Sequence, residues 1–577
     1  MAATAPPGLF DQFAHRWRGY VLIALLALAS ALMGASGVPV TDIDEARFAQ
    51  ATRQMIETDD YVRIRLQDAE RNRKPAGIHW LQAASVNMLS PDKLNAIWPY
   101  RLPSALGLML ASLATLWAGT VLVGARAGFI GAALFAVGLL AGVEGMLATT
   151  DAAMTGFTTL ALAALAHLRV GARRPRVVAI VFWAALACGI LIKGPATPLV
   201  AMLTLATLAL WERRIAWMRP LAFWTGPALA VLIVLPWMLA IGAATDGRFF
   251  ADFLAHEIWP KLVGGDRAHG GMPGYHTLLL PVLIFPATYA LPAALRIGLG
   301  AIQTPPSNDA QAPYRFLIAW AAPTFAFFEL MPAKLIHYTL PVYPAIALLC
   351  GVGLLLAARA RWRTAHPAGV VIFAVSGAII VAIMAMVSVF MPGALADAGL
   401  RRAIATALVG ALTLGGATAC LIFVRHPAAR AGALVACSLI FSFSLRERLL
   451  PEARTLFVSS EAVAAMTRTR VQARDDEPFW VVGYEQPSII FLTRTSVRLA
   501  SSEVAGANAE AGDGMIVEGR ALEEVQRTLE TRGLAFAEAE PPVRGMALGR
   551  GERMALYVGR VGESVSGEAS ASQPPRP

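Results

Sequence analysis

The sequence predicts an α-helical polytopic membrane protein of about thirteen spans, followed by a soluble α/β domain. Three observations lead there. Of the 577 residues, 56% are hydrophobic and only 15% charged, against roughly 25% charged in an average soluble domain. Apolar runs able to cross a hydrocarbon core of about 30 Å, roughly 20 residues each, recur from Gly19 to Leu445. From Arg446 the pattern changes to short apolar stretches set between polar ones, the signature of a soluble sheet with helices. This composition excludes an ordinary cytosolic enzyme, and its wealth of Leu, Ala, Val and Ile excludes a disordered chain.

The apolar runs cover 19–36, 102–123, 127–143, 152–168, 177–192, 195–211, 220–243, 276–295, 314–330, 338–358, 367–391, 403–424 and 430–445. An odd number of spans puts the termini on opposite sides. Arginines near membrane ends are retained in the cytoplasm, and alternate connections carry them. These hold Arg16 and Arg18; Arg126; Arg169, Arg173, Arg174 and Arg176; Arg213, Arg214 and Arg219; Arg296 and Arg315; Arg359, Arg361 and Arg363; Arg425 and Arg430. The N-terminus is then cytoplasmic, and the opposite face receives loop 37–101, loop 244–275 and everything after Leu445. One alternative makes the first run a cleaved signal peptide, because Ala29-Ser30-Ala31 has the small-residue pattern of a cleavage site.

Within loop 37–101, Phe48, Ala51, Met55 and Ile56 have helical spacing, which predicts a helix over 44–57 lying in the membrane interface. A second interfacial helix is expected over 78–89. Beyond Arg446 the pattern predicts strands at 479–484, 514–518 and 554–558 and a helix at 522–529. The expected units are therefore a membrane domain over 1–445, an α/β domain over 446–561 and a disordered, Ser/Glu/Pro-rich tail over 562–577.

The net charge of +10 comes from 49 basic residues, of which only Lys74, Lys93, Lys193, Lys261 and Lys334 are lysines. The positive excess falls wholly within the hydrophobic part. A nucleic-acid role, which needs a basic stripe on a soluble face, is excluded on that ground. On this topology all five lysines are external. Cys188, Cys350, Cys420 and Cys437 lie in apolar runs without CxxC spacing, so neither a metal site nor a disulfide is predicted.

A charge inside the bilayer marks an ion or substrate pathway, and the middle of every expected span lacks one. That argues against an ion-coupled transporter. Ionisable groups gather instead at the outer helix ends and loops: Asp42, Asp44, Glu45, Arg47, Lys74, Glu144, Asp151, Lys193, Glu257, Lys261, His269, Glu329, Lys334 and His337. No nucleotide-binding glycine loop is present, so an activated substrate has to arrive within the membrane. Crowded carboxylates at Asp42, Asp44 and Glu45 raise one another's proton affinity and suit a general base or a cation site. Equally, Asp44 and Glu45 read as helix N-terminal capping groups, as does Asp151. Lys193-Gly194-Pro195, Lys74-Pro75 and Lys334 fit either snorkelling at the lipid boundary or the holding of a lipid phosphate.

Asp44-Glu45-Ala46-Arg47-Phe48, Arg73-Lys74-Pro75, Arg101-Leu102-Pro103-Ser104-Ala105, Asp151, Lys193-Gly194-Pro195, Leu235-Pro236-Trp237 and Lys334 with Tyr338-Thr339-Leu340-Pro341 occur in this order. As an ordered set they resemble the bacterial aminoarabinose transferase family and its protein mannosyltransferase relatives, over most of residues 37–350. The resemblance implies a GT-C fold in a bacterial inner membrane and a polyprenyl-phosphate sugar donor used on the periplasmic face. The implied acceptor is a lipid or glycan, lipid A in the aminoarabinose branch. It implies functional carboxylates at Asp44 and Asp151 and a motif lysine at Lys74. The external charges add Glu45 to the catalytic set, and substrate binding is expected from Arg47, Lys74, Lys193, Lys261, His269, Lys334, His337 and Tyr338. No cofactor is certain, a divalent cation stays open, and a monomer is expected. Two departures stand out: Arg73 replaces the Glu of the family's Glu-Lys-Pro motif, and the family's Glu-His pair appears as His256-Glu257. Competing functions are a lipid-linked sugar flippase without chemistry, a protein O-glycosyltransferase and a purely structural assembly factor.

Overall fold

The computed structural model describes residues 17–42, 44–263, 270–357, 365–391, 397–471, 478–547 and 552–564. Helices α1 (Trp17–Leu32), α2 (Asp44–Thr58), α3 (Gly77–Leu89), α4 (Trp98–Leu122), α5 (Ala125–Ala136), α6 (Leu139–Met146), α7 (Asp151–Arg169), α8 (Pro175–Lys193), α9 (Ala196–Glu212) and α10 (Thr225–Ala244) come first. They are followed by α11 (Tyr275–Leu283), α12 (Leu291–Gln303), α13 (Ala312–Leu330), α14 (Tyr343–Leu356), α15 (Ala365–Val387), α16 (Asp397–Phe423) and α17 (Pro427–Phe443). A helix, straight or broken, lies over each apolar run.

Among the described residues, six helices are long and apolar enough to cross a membrane alone, including α4, α8 and α10. The pair α5 and α6 is bent by 54°, and α11 by 113° against Ala287–Gln303. The first bend falls at Gly138, whose extended backbone interrupts the helix. The bend ends the long apolar run early and lets short α6 carry Glu144 to the head of α7.

Close packing of α4 on α7 sets the centre of the bundle. A Cβ on Gly107 would lie 2.5 Å from Ala153 Cα, and one on Gly156 would lie 2.7 Å from the Gly107 carbonyl oxygen. Without side chains there, the two backbones meet, the device by which membrane helices associate tightly. Ser104 Oγ donates to the Thr149 carbonyl at 3.1 Å, which fixes the loop leading into Asp151. The turn Lys193-Gly194-Pro195 reverses the chain from α8 to α9 on a left-handed Gly194 (φ +60°), and so sets Lys193 beside the start of α7.

Between α2 and α3 the chain forms a short antiparallel hairpin, β1 (Arg65–Leu66) and β2 (Ala69–Glu70). Helix α2 forms as its spacing suggested, over Asp44–Thr58, but it is not an exposed amphipathic helix. Its residues from Glu45 to Met55 are nearly all buried, because the C-terminal part of the chain covers its outer side. Arg53 Nη1 donates to the carbonyls of Phe491 (2.8 Å) and Thr493 (3.2 Å), and Gln50 Nε2 donates to Thr495 Oγ1 at 2.7 Å.

That C-terminal part holds α18 (Val458–Thr469), β3 (Phe479–Val482), α19 (Pro487–Leu492), β4 (Arg498–Ala500), α20 (Ser502–Asn508) and β5 (Gly514–Glu518). It continues with α21 (Leu522–Glu530), β6 (Leu534–Glu538), β7 (Val543–Ala547) and β8 (Glu552–Glu563). The strands form one sheet in the order β4-β3-β5-β8-β6, with β7 also on β8. Neighbours β4 and β5 run parallel to β3, and β8 runs antiparallel to β5. Alternating side chains feed two cores: Phe479, Val481 and Ile516 on one face, Trp480, Val482 and Met515 on the other, as the pleat requires. Gly562 and Glu563, expected in a disordered tail, are the end of β8. Residues 565–577 lie outside the described residues.

Candidate active site

A cavity of about 1010 Å³ opens among α7, α9, α13 and the helical segment 248–263. Its apolar wall includes Met154, Leu199, Val200, Phe327 and Phe328, each within about a turn or two of a helix end. Its charged groups are Lys74, Asp151, Lys193, Glu257 and Lys261. Asp151 Oδ1 accepts from Lys193 Nζ at 2.5 Å. The Glu257 carboxylate takes both Lys74 and Lys261, the latter at 2.5 Å. The Lys193 ammonium also lies 5.8 Å from the Tyr338 ring centroid, within cation–π range. Three ammonium groups therefore face two carboxylates, which leaves one positive charge.

Burial draws the Lys74 ammonium down to about 8, although Glu257 opposes the shift. For Glu257, burial would raise the carboxyl, but Lys74 and Lys261 outweigh it and hold it below its ordinary value. Sequence reasoning set Glu257 among the external ionisable groups and in the His256-Glu257 pair but assigned it no role. The Glu257/Lys261 spacing of four, one helical turn, was the signal that could have found it. Beside it His256 is exposed, with its ring towards Asp252.

Glu144 and His337 support Asp151 from behind. His337 Nδ1 lies 3.5 Å from Glu144 Oε1, and its Nε2 lies 3.8 Å from Asp151 Oδ2. Burial disfavours the imidazolium, but Asp151 and Glu144 prevail and raise its pKa. The ligand atoms of Glu144, Asp151 and His337 all lie within 4.8 Å of one another, a spacing that a cation could use. In this arrangement Lys193 and His337 already engage the two carboxylates, so a metal ion would have to displace both. His337 thus touches Asp151 and stands outside the cavity lining.

Asp44 and Glu45, adjacent in sequence, have opposite surroundings. Asp44 is half exposed at the start of α2, with Arg47 Nη1 at 3.7 Å. Neither residue lines the cavity. Arg71 connects the two clusters: its guanidinium stacks 5.0 Å over the Phe48 ring and feels both Asp44 and Glu257. Burial lowers Arg71 to about 10 against the pull of Asp44. Sequence reasoning passed over Arg71 because nothing local distinguishes it from its neighbours Arg63, Arg65 and Arg73.

Two expected site residues have structural engagements instead. Glu45 is 1% exposed and accepts from Arg101 Nε (2.7 Å), Arg101 Nη2 (2.9 Å), Thr41 N (2.9 Å) and Ala148 N (2.9 Å). Burial would raise its carboxyl, but Arg101 leads the groups that keep it low and ionised. With every lone pair occupied it cannot accept a substrate proton, so the expected catalytic role gives way to one of fixing α2. Lys334 is also buried, with Nζ donating to the carbonyls of Phe328 (3.3 Å), Glu329 and Met331 (2.6 Å). It caps the C-terminus of α13 and has no ammonium proton left for a phosphate. His269, a further expected binding residue, lies outside the described residues.

Residues 79–249, which contain Glu144, Asp151 and Lys193, match the family described as dolichyl-phosphate-mannose-protein mannosyltransferase. The chain is 32% identical over 317 residues to the undecaprenyl phosphate-alpha-4-amino-4-deoxy-L-arabinose arabinosyl transferase of Pseudomonas aeruginosa, an alignment covering 53% of this chain and 54% of that one. The enzyme of the same name in Pectobacterium atrosepticum is 28% identical over 338 residues, 57% of each chain. The chain thus spans about half the length of the curated relatives it matches. The fold aligns with ArnT from Cupriavidus metallidurans bound to undecaprenyl phosphate at a TM-score of 0.72 and 19% identity, over 93% of this chain and 97% of that one.

The chain thus shares the fold of this ArnT structure over nearly its whole length. An archaeal oligosaccharyltransferase, AglB from Archaeoglobus fulgidus, shares the fold more distantly, with a TM-score of 0.52 at 12% identity over 89% and 70% of the two chains. From the sequence motifs, Lys74, Asp151, Lys193, Pro195, Tyr338 and Pro341 all line one cavity.

Proposed function

We propose that the chain transfers a sugar from a polyprenyl-phosphate donor to an acceptor oxygen of an envelope glycolipid or glycan such as lipid A. The observation that carries this reading is the lysine-headed apolar cavity. A polyprenyl-phosphate sugar is a phosphodiester with one negative charge on a long apolar tail. The surplus positive charge among Lys74, Lys193 and Lys261 complements the diester, and the apolar wall receives the first isoprene units. A second, wholly apolar groove of about 710 Å³ shares Pro195 and Phe253 with the cavity and offers the tail a continuation.

In the transfer, the acceptor oxygen attacks the anomeric carbon, the bond from that carbon to the phosphate oxygen breaks, and the electron pair leaves with the phosphate. Charge on the leaving phosphate rises from one towards two, and the three ammonium groups stabilise the increment where it develops. Asp44, half exposed and adjoining Arg71, takes the acceptor proton or orients the acceptor. Asp151 holds the Lys193 ammonium at the phosphate and is itself held by His337. The names of the relatives make an undecaprenyl-phosphate-linked aminopentose the first donor to test.

The same reading gives the chain thirteen spans over 1–445, a cytoplasmic N-terminus, and a periplasmic face that holds the cavity and the α/β domain over 446–561. The arginine-bearing connections support this orientation. The reading also takes the working protein to be a monomer.

The test compares envelope glycolipids by mass spectrometry between a deletion strain and the same strain carrying wild type or Asp44→Asn. A pentose, hexose or hexuronic acid mass is expected to vanish on deletion, return with wild type and stay absent with Asp44→Asn at equal expression. Full restoration by Asp44→Asn would contradict the role of Asp44. Movement of a lipid-linked sugar across vesicles without a new glycosidic bond would replace the transferase with a flippase.

A further inference from the structure

The opposite end of the bundle carries a second charged assembly that sugar transfer does not use. Helix α7 runs 19 residues from Asp151 to Arg169, about 28 Å at 1.5 Å per residue, so its far end lies a membrane thickness from the cavity. There two connections are locked together. Arg169 stacks 5.6 Å over Trp217, Arg176 stacks 4.7 Å over Phe223, and Trp183 Nε1 donates to the Leu221 carbonyl at 3.0 Å. The nearby acid Glu212 is buried and already held by Arg169 and by Arg315 Nε at 2.9 Å. It offers nothing to the exposed arginines around it.

Those arginines are Arg173, Arg174 and Arg176 on one connection and Arg213, Arg214 and Arg219 on the other, all exposed. Among the described residues only Arg214 has an acidic partner, Asp309 at 2.9 Å, with both side chains open to solvent. Positive charge on this face is expected from membrane orientation alone. A hollow is not. Arg213, Arg214 and Arg219 line an open concavity of about 1120 Å³ together with Ile215, Ala216 and Met218. Arg213 holds a left-handed backbone (φ +54°), uncommon for a residue with a Cβ, at the turn that forms the hollow. Exposed Ile215 (60%) lines it, and exposed Leu210 (80%) and Trp224 (71%) flank the same connection in sequence, Trp being a residue that seats at the headgroup level of a bilayer.

We propose that this hollow binds the phosphate of an anionic glycerophospholipid in the leaflet opposite the transfer site, with the acyl chains along Leu210, Ile215 and Trp224. Cationic recesses between membrane helices hold lipid phosphates in this way. The apolar rim selects a membrane lipid over a soluble anion. The binding is independent of transferase activity, so the failure of either reading leaves the other standing.

The experiment uses the purified full chain in detergent, titrated with phosphatidylglycerol or phosphatidylcholine and followed by native mass spectrometry and thermal unfolding. Phosphatidylglycerol is expected to bind and stabilise, phosphatidylcholine to do so far more weakly, and inorganic phosphate at equal concentration to give no shift. Each arginine near an anionic headgroup contributes about a fivefold change in affinity. R213A/R214A/R219A is therefore expected to lose at least about tenfold, with cavity-dependent donor binding unchanged. If the triple variant does not fold, R219Q alone and added salt of about 0.5 M on wild type serve instead, and each is expected to weaken phosphatidylglycerol binding. Equal binding of the two lipids, an unchanged shift in the variants, or full reproduction of the shift by inorganic phosphate would overturn the proposal.

Discussion

Arg101 Nε lies 2.7 Å from Glu45 Oε1 while its Nη1 donates to the carbonyls of Ala35 (2.9 Å) and Val38 (2.7 Å). One guanidinium thereby ties the end of α1, the start of α2 and the head of α4, and the residue it orders is the neighbour of Asp44. Removing one partner of such a pair strands a buried charge, which costs about 3–5 kcal/mol. Glu45→Gln is expected to lower the thermal unfolding temperature clearly and activity with it. Asp44→Asn, at a half-exposed site, is expected to unfold like wild type while losing transfer. Unfolding curves of the two variants side by side check the division.

Lys74 gives the donor site a pH limit. Its ammonium loses its proton near pH 8, and only the charged form attracts a phosphate. Donor kcat/KM, which reports groups of the free enzyme, is expected to fall as pH rises through about 8. Lys74→Arg keeps its charge throughout this range, so its profile is expected to stay flat there even if its affinity is lower. A wild-type profile with no alkaline limb would remove Lys74 from donor binding.

Lys334 separates support from binding. Replacing it by Met leaves three carbonyls at the end of α13 uncapped, a loss of about 1–3 kcal/mol read by thermal unfolding. Affinity for undecaprenyl phosphate is expected to change less than twofold. A tenfold weaker affinity at unchanged stability would return Lys334 to the phosphate site.

His337 makes stability depend on pH. Its pKa is raised in the folded chain above the ordinary value of about 6.5. Its contribution is therefore complete below about pH 6.5 and is lost as pH rises through the folded value. The difference in unfolding temperature between wild type and His337→Gln is expected to be largest at pH 6 and to shrink towards pH 9. A constant difference across that range would mean that the imidazole contributes by packing alone.

The membrane helices were legible because each needs only a local run of apolar residues. Lys74, Asp151 and Lys193, which line the cavity, were legible as candidates because charges at the ends of such runs are costly and conspicuous. Glu45 and Asp44 were not separable, since their difference arises from Arg101, 56 positions away from Glu45. The enclosure of α2 depends on Phe491, 438 positions from Arg53, and no local pattern encodes it. Lys334 looked like its fellow external lysines until the end of α13 was seen to lie under its ammonium.

The central claim is that the cavity at Lys74, Asp151 and Lys193 holds a polyprenyl phosphate. The most direct test measures binding of undecaprenyl phosphate to the purified full chain, against undecaprenol, for wild type and Lys74→Ala/Lys193→Ala. Binding that requires the phosphate and weakens at least about tenfold in the double variant is the predicted result. Equal binding of undecaprenol, or unchanged affinity in a folded double variant, would contradict it.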